Sequence, residues 1–302
     1  MALSSAVTVD ASGVALPARP GGQWHSAALR FARRNPLGAV GALIVLLMVV
    51  AAIFAPLLTP TGPTLPAPLE RLRGPSGAHW FGTDDIGRDV YTRVVYGARI
   101  SLEVGITTVV LGTLIGAAIG LVSGYFSGTA DLIVQRLLDS VQSIPGLLLA
   151  LVVAAVIGKG TINTIFPIAL VIMPVNARVV RSAVLTVRES VFVEGARVIG
   201  AGNGRIMLRH VLPNVTAPIL ILASIWIGNA IIIEASLSFL GLGTTPPTPS
   251  WGNMLAGQGR AYMEQAPWLA LFPGLAITLT VLAFNLLGDA LRDTWDPRLR
   301  GR

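Results

Sequence analysis

Six long stretches of the chain lack charged residues and approach or exceed the length of a bilayer crossing. A membrane-spanning helix needs about 20 mostly apolar residues. The six stretches are Leu37–Leu58, Val104–Phe126, Ser140–Ile157, Ile162–Ala177, Val211–Ile233 and Gln265–Gly288. Their apolar runs are continuous, whereas the strands of a β-barrel alternate apolar and polar residues. The pattern therefore predicts an all-α integral membrane protein with six transmembrane helices.

The third and fourth predicted spans depart from a simple apolar helix. We expect the helix of the third span to begin nearer Asp131, so that it includes Arg136 and Asp139. The fourth span is short and carries Pro167 and Pro174. An even number of spans would nonetheless place both ends of the chain on the same side of the membrane.

Charged residues are few, and most of the arginines cluster beside the apolar segments. Charged residues make up 12% of the 302 residues, about half the share found in a soluble domain, and the net charge is +7. Arginine clusters precede the first span, separate spans four and five, and follow the last span. The positive-inside rule places these three regions, and both termini, in the cytoplasm. No basic surface is interleaved with stacking aromatic residues, which argues against nucleic-acid binding.

The spans divide the chain into four regions. Residues 1–35 form a tail rich in small residues and proline, which we expect to be disordered. Residues 36–100 hold the first span and an outer segment. Residues 101–290 hold a five-helix core with a cytoplasmic loop at 178–213, and residues 291–302 form a cytoplasmic tail. The first span is longer than the roughly 7–15 apolar residues of a signal peptide, so we expect it to remain in the protein.

The outer segment "HWFGTDDIGRDVYTRVVYGARISL" begins at His79 and predicts an amphipathic helix along the membrane surface. Thr83 is a suitable N-cap, with two aspartates in the first turn. Asp84 with Arg88, and Asp89 with Arg93, would form ion pairs at i,i+4. A metal site formed by His79 and these aspartates is a weaker alternative, since each aspartate has an arginine partner in register. The predicted apolar stripe of this helix is Ile86, Val90 and Val94.

The stretch "VEGARVIGAGNGRIMLRHVLP", residues 193–213, is a polar insert between two apolar segments. Phe192, Ala196 and Ile199 are spaced to share one face of a helix. Gly195 and Ala196 are small enough to let another chain approach closely. Gly200 is a helix stop. The insert therefore predicts a short helix followed by a glycine turn.

A second short helix is expected at Arg205–His210, with Pro213 starting the next element. One interpretation of the whole insert is an ordinary loop that only carries topogenic charge. A loop of that kind does not need an apolar face and two adjacent small residues. We therefore favour a docking element for a soluble partner.

No group of residues predicts catalysis or nucleotide binding. The chain has no cysteine, and its three histidines lie in the tail, the outer segment and the insert. "GAGNG" at Gly200–Gly204 resembles part of a dinucleotide-binding loop, but that fingerprint needs a preceding strand in a βαβ unit. No Walker A pattern occurs. We expect no metal and no cofactor bound by this chain.

A few polar residues within the spans are candidates for the transport pathway or for interhelical contacts. Arg136 and Asp139 lie three residues apart, and either neutralise each other or line a pathway. Glu234 lies late in the fifth span, where it either pairs with a neighbouring chain or lines a cavity. Gln142, like Asn176, Asn229 and Asn285, is more typical of interhelical hydrogen bonding than of substrate binding.

The insert resembles the EAA loop of permeases of ATP-binding-cassette (ABC) importers. The matching positions are Glu194, Gly195, Ala196, Gly200, Leu212 and Pro213. Glycine replaces the usual first alanine at Gly195, which lowers helix propensity. The "RHVLPN" ending, together with the outer segment, "EASLSFLGLGTTPPTPSWGNML" and "LAFNLLGDALRDTWDPRLR", resembles the C-type permeases of dipeptide, oligopeptide, glutathione and nickel importers. The resemblance covers most of the chain from His79 onward.

The resemblance implies a type I importer permease in the bacterial inner membrane, with a coupling helix from about Glu189 to Ile199. Its implied partners are a second permease, one or two cytoplasmic ATPase subunits and an extracytoplasmic substrate-binding protein. ATP and Mg²⁺ would bind to the ATPases. The implied ATPase-coupling residues are Phe192, Glu194, Gly195, Ala196, Arg197, Ile199, Gly200, Arg205 and Pro213.

The substrate expected from the resemblance is a dipeptide or oligopeptide, with glutathione or nickel as alternatives. A stand-alone secondary transporter or channel is an alternative of a different class. Such proteins often contain inverted repeats around a central site. The two halves of this chain show no convincing self-similarity, so the permease is the preferred interpretation.

Overall fold

A computed structural model of the chain describes residues 31–59 and 61–295. Within these residues the regular elements are helices, and the single β-bridge joins Thr83 to Asp89. The helices are α1 Pro36–Ile53, α2 Ala55–Leu58, α3 Val90–Phe126, α4 Gly128–Gln142, α5 Gly146–Ile157, α6 Thr161–Arg188, α7 Val191–Val198, α8 Asn203–Ile206, α9 Leu212–Phe239, α10 Trp251–Met254 and α11 Trp268–Trp295. A 3₁₀ turn covers Pro68–Glu70, and π-helical turns cover Met207–Val211 and Leu255–Gly259.

Five helices in the described part of the chain are long and apolar enough to cross a membrane, and a bent pair provides a sixth crossing. The five are α1, α3, α6, the continuous run Asn203–Phe239 and α11. The pair consists of α4 and α5, which meet at 86°. The continuous helix predicted from Asp131 through Ile157 is therefore wrong. Pro145 causes the break, because it has no N–H to donate and disfavours helical backbone at the residue before it.

Contacts at the helix ends define two ends of the bundle. At one end, which we name the α7 end, Tyr125 of α3 donates a hydrogen bond to Asn203 at 2.9 Å. At the opposite end, which we name the Trp251 end, the indole of Trp268 donates to the carbonyl of Thr83 at 3.1 Å. The α4–α5 pair starts next to the end of α3 and finishes near Gly160, whose N–H donates to Gly243 at the Trp251 end. The bent pair therefore traverses the bundle, and the chain crosses it six times.

The most extensive helix–helix interface in the described bundle joins α3 to α6 along a stripe of glycines on α3. A Cβ added at Gly116 would lie 2.6 Å from the carbonyl oxygen of Met173. Asn176 of α6 donates to the hydroxyl of Thr113 on α3 at 3.0 Å, so its expected interhelical role is confirmed. Small residues allow this close approach, which supplies packing between helices in an apolar surrounding.

The outer segment does not form the predicted surface helix. Gly82 and Gly87 have φ of +75° and +82°, left-handed values that interrupt a right-handed helix. Asp89 instead caps α3 by accepting from the N–H of Thr92 at 2.7 Å. α3 therefore begins at Val90, near the middle of the segment that was expected to be helical, and the remainder of that segment belongs to this long helix.

One of the two ion pairs predicted for the outer segment is present. Arg88 donates to Asp84 at 2.6 Å, whereas Arg93 lies 3.7 Å from Asp84 rather than beside Asp89. His79 lies between the carboxylates of Asp89 and Glu70, at 3.0 and 3.1 Å. Among the residues described, no group of three histidine or acidic side chains is arranged to hold a metal ion.

Candidate functional site

The helix expected between spans four and five is present as α7, Val191–Val198. It follows a short turn after α6, which ends at Arg188. α7 is held to the bundle by Val193 and Ala196, which are buried against Val180 and Ile206. The expected buried face consisted of Phe192, Ala196 and Ile199. Of these three residues only Ala196 is buried, whereas Phe192 and Ile199 are exposed. The difference arises because the rest of the chain covers only one narrow side of α7.

Apolar side chains cover much of the outward surface of α7. The exposed fractions are 84% for Val191, 83% for Val198 and 85% for Ile199, and Phe192 is about half exposed. Glu194 and Arg197 lie on the same exposed surface, and a Cβ added at Gly195 would meet no atom within 4 Å. Exposed apolar groups beside charged residues are typical of a surface that a protein partner covers.

The glycine turn after α7 is present and has a defined geometry. Gly200 has φ +82°, a backbone conformation that suits glycine. The N–H of Ala201 donates to the carbonyl of Ala196 at 3.0 Å, and the N–H of Gly200 donates to Arg197 at 2.9 Å. These two bonds form a Schellman motif, which ends the helix and reverses the chain. The exposed surface of α7 is therefore held at a fixed angle to the helices on either side.

The prediction of a separate second helix at Arg205–His210 is wrong. Helical backbone begins at Asn203 and continues through the π-helical turn Met207–Val211 into α9 without a break. The wider π turn accommodates Pro213, the second residue of α9, which has no N–H to donate. Arg205 is exposed on the first turn of this run. The arm that leaves α7 is therefore one continuous helix into the membrane-spanning region.

Tyr125 and Arg188 connect the α7 loop to the end of α3. Arg188 donates to the carbonyl of Tyr125 at 3.1 Å and to the hydroxyl of Ser127 at 2.6 Å. The guanidinium of Arg197 lies 5.8 Å from the centre of the Tyr125 ring. Tyr125 also reaches Asn203 beyond the glycine turn. The sequence analysis missed this cluster, because residues more than 60 positions apart form it and no local pattern marks them.

A second polar cluster that the sequence analysis missed joins α4 to α6. The guanidinium of Arg181 donates two hydrogen bonds to Asp131, at 2.6 and 2.5 Å. Ser123 and Gln135 also donate to Asp131. Asp131 is buried, so the fork-shaped guanidinium compensates a carboxylate that has lost most of its water. The cluster fixes the start of the bent pair against α6.

The candidate pathway residues lie in two separate places. The Arg136 and Asp139 side chains are 3.9 Å apart, but Asp139 forms its closer ion pair with Arg178, at 3.2 Å. All three are exposed. Gln142 follows on the same helix and lines a cavity beside α6 and α9. The mutual neutralisation of Arg136 and Asp139 is therefore only part of the observed arrangement.

Glu234 is fully buried within this chain, at 0% exposure. It accepts hydrogen bonds from Ser238 at 2.8 Å and from Ser101 at 3.2 Å. Ser238 in turn accepts from the N–H of Thr244 at 3.2 Å, at the start of the loop that leads to Trp251. Glu234 is thus enclosed within this chain, where it connects α9 to α3 and to that loop.

These features define a class of protein. It is a helical membrane protein that crosses the bilayer several times and exposes a short, firmly mounted helix at one end. Comparison with known families gives the particular family. Residues 116–301 match the model of the binding-protein-dependent transport system inner membrane component, and residues 22–75 match the N-terminal transmembrane domain of oligopeptide transport permease C. The chain belongs to this family of ABC transporter permeases.

Two curated relatives are similar over nearly the whole chain. The dipeptide transport system permease protein DppC of Alkalihalophilus pseudofirmus is 44% identical over 268 residues, which cover 89% of this chain and 88% of the relative. The glutathione transport system permease protein GsiD of Pectobacterium atrosepticum is 45% identical over 278 residues, 92% of each chain. Both relatives are permease subunits of transporters, and this chain is likewise a non-catalytic membrane subunit.

A solved structure has the same fold. The chain matches a structure titled as inward-facing conformations of the MetNI methionine ABC transporter, with a TM-score of 0.55 and 18% sequence identity. The match covers 66% of this chain and 94% of that one. The expected type I importer permease fold is therefore confirmed.

Proposed function

We propose that this chain forms half of the translocation pathway of an ATP-driven peptide importer, and that α7 couples it to separate ATPase subunits. The proposal rests chiefly on one observation. α7 exposes Val191, Phe192, Val198 and Ile199 although it is firmly attached to the bundle. Burial of exposed apolar surface by a partner protein is favourable and would stabilise their association. An ATPase subunit that binds ATP and Mg²⁺ is the partner that family membership supports.

The mounting of α7 suits it to transmit movement. Val193 and Ala196 pack it against the bundle, and Arg188 ties the preceding turn to α3. Gly200 starts the turn into the helix that continues through α9. When the ATPases close on ATP, a push on α7 would thus reach α3, α6 and α9 together. Such a movement would bias the permease between two conformations, which is the physical content of coupling.

The assembly that we propose contains four kinds of subunit. This chain pairs with a second permease, one or two cytoplasmic ATPases bind below them, and an extracytoplasmic binding protein delivers the substrate. The α7 end would then face the cytoplasm, together with both chain termini, in the inner membrane of a bacterium. The clustered arginines before α1, around α7 and after α11 support this orientation.

A peptide is the substrate class that the relatives support. One relative is named for dipeptides and the other for glutathione, and both substrates contain peptide bonds. We therefore assign this importer to short peptides. The test of the class is uptake of labelled alanyl-alanine and labelled glutathione by vesicles that contain the complete transporter.

The coupling role is tested by reversing a charge on α7. Glu194→Lys should weaken co-purification of the ATPases and abolish uptake, because like charges at an interface can cost several kcal/mol. Glu264→Lys, the same change at the Trp251 end, should leave ATPase co-purification unchanged. Both residues are exposed, so both variants should reach the membrane in normal amounts. Normal ATPase association and uptake with Glu194→Lys would show that the loop is only a connection.

A further inference from the structure

A cavity of about 350 Å³ lies where the bent pair meets α6 and α9. Its volume is within the range of small-molecule sites. Residues of four helices and of the break between α4 and α5 line it. They include Gln142, Ile144, Val171, Val175, Trp226 and Asn229.

The cavity lies about halfway along the membrane-spanning helices. Val171 and Val175 are near the middle of α6, Thr161–Arg188, and Trp226 and Asn229 are near the middle of α9, Leu212–Phe239. At about 1.5 Å per residue, Val171 is about 15 Å from the start of α6. The cavity is therefore at the depth of the hydrocarbon core.

Polar groups around this cavity have unused hydrogen-bonding capacity. In the described part of the chain, the side chains of Gln142 and Trp226 make no hydrogen bond, and Asn229 only donates at 3.4 Å to the carbonyl of Ile225 on its own helix. Among residues 31–59 and 61–295, neither Gln142 nor Asn229 forms the expected interhelical hydrogen bond, whereas Asn176 does. Unpaired amides at this depth cost free energy unless water, substrate or protein satisfies them.

The break between α4 and α5 indicates that lipid does not fill the cavity. Ser143, Ile144 and Pro145 are non-helical and exposed at this depth. Irregular backbone within the hydrocarbon region is tolerated only where protein buries it or where it lines a water-filled cavity. The broken backbone and the unpaired amides thus point to the same polar space.

Charged residues continue this polar surface toward the α7 end. Asp139 is one turn before Gln142 on α4, and Arg178 is one turn after Val175 on α6. Their side chains pair at 3.2 Å and remain about half exposed, and Arg136 beside them is 77% exposed. Exposed charges next to a mid-membrane cavity are typical of a hydrated pathway rather than of a lipid-facing surface.

We propose that this cavity is part of the translocation pathway and that the residues lining it bind the main chain of a passing peptide. The amides of Gln142 and Asn229 each offer a donor and an acceptor, which match the C=O and N–H of a peptide bond. The residues that line the cavity carry no charge, and Trp226 with the aliphatic side chains accommodates side chains of different kinds. A cavity lined in this way binds peptides without selecting their sequence. This inference rests on the proposed function.

The test compares uptake with ATP hydrolysis in vesicles that hold all subunits and a loaded binding protein. Gln142→Leu and Asn229→Leu should each lower uptake of labelled alanyl-alanine per ATP hydrolysed about three- to tenfold, the effect of one lost hydrogen bond. ATP hydrolysis and subunit co-purification should stay normal. Asn285→Leu is the matched control, since it removes an exposed amide from α11 outside this cavity and should leave the ratio unchanged.

Each other outcome overturns the inference in a recognisable way. If Gln142→Leu and Asn229→Leu prevent the second permease from co-purifying, the cavity is a subunit interface. If both variants match the wild type in uptake per ATP, the cavity does not contact the peptide, although the proposed function stands. If the wild-type complex takes up neither alanyl-alanine nor glutathione, the peptide assignment itself fails.

Discussion

Single polar residues inside this bundle differ sharply in how fully they are compensated. Asp131 is buried and accepts hydrogen bonds from three side chains. Arg181 donates two of these bonds. Asp139, two turns later on the same helix, is about half exposed and pairs with arginines at the surface. Removing the charge at these two positions should therefore have very different consequences, because only Asp131 is a buried carboxylate with several charge-assisted hydrogen bonds to lose.

The stability of the purified protein tests this contrast. Asp131→Asn should lower the free energy of unfolding by about 1–3 kcal/mol, the contribution of hydrogen bonds to a buried, charged carboxylate. Asp139→Asn should cost about 0–1 kcal/mol, as expected for an exposed ion pair. Thermal unfolding in detergent measures both. Equal shifts in the unfolding temperature of the two variants would contradict the assignment of Asp131 as the buried anchor of α4.

At the scale of elements, the contact between α3 and α6 depends on backbones that approach more closely than side chains allow. Gly116 faces the carbonyl of Met173, and its neighbours on the stripe face the next turns of α6. A methyl group here has no room, so the helices must separate. Gly274 on α11 is a helical glycine without this constraint, since a Cβ there would meet nothing within 4 Å.

Gly116→Ala and Gly274→Ala form a matched pair. Gly116→Ala should destabilise the protein by about 1–3 kcal/mol through overpacking. Gly274→Ala should leave it unchanged or stabilise it by up to about 1 kcal/mol, because alanine has the higher helix propensity. The midpoint of thermal unfolding, read for both variants in one detergent, is the measurement. A Gly116→Ala variant as stable as Gly274→Ala would show that α3 and α6 can move apart at little cost.

At the scale of the whole molecule, six crossings place both ends of the described chain and α7 on one side. Asn35, just before α1, donates to Thr294 near the end of α11 at 3.3 Å, so the first and last helices share an end. The outer segment with Ser76 lies at the opposite end, where α3 starts. The charge distribution predicts that the shared end is cytoplasmic.

Thiol labelling in intact cells tests this orientation. The chain has no cysteine, so single substitutions can be labelled without background. Ser76→Cys should react with a membrane-impermeant reagent, because Ser76 is exposed at the outer end. Ser4→Cys and Thr294→Cys should react only after the cells are opened. Labelling of either one in intact cells would reverse or break the proposed topology. Residue 4 lies outside the described residues, so this arm rests on the sequence alone.

Much of this architecture was predictable because membrane insertion depends on local sequence. The apolar stretches located the spans, and the helix at Val191–Val198 and its stop at Gly200 followed from nearby spacing. The interpretation failed at three other local features. The helix predicted to end at His210 continues into α9. Pro145 breaks a span at its midpoint, and Gly82 and Gly87 prevent a helix that the neighbouring charges favour.

Only the tertiary structure decided which polar residues meet. Asp131 and Arg181 are 50 positions apart, and Gln142 shares a cavity with Asn229 from another helix. Glu234, a candidate for the pathway, is instead enclosed by serines of α3 and α9. The sequence determined where the chain crosses the membrane, since each segment partitions into lipid largely on its own composition. Packing of several helices decided which side chains are enclosed, because that depends on neighbours distant along the chain.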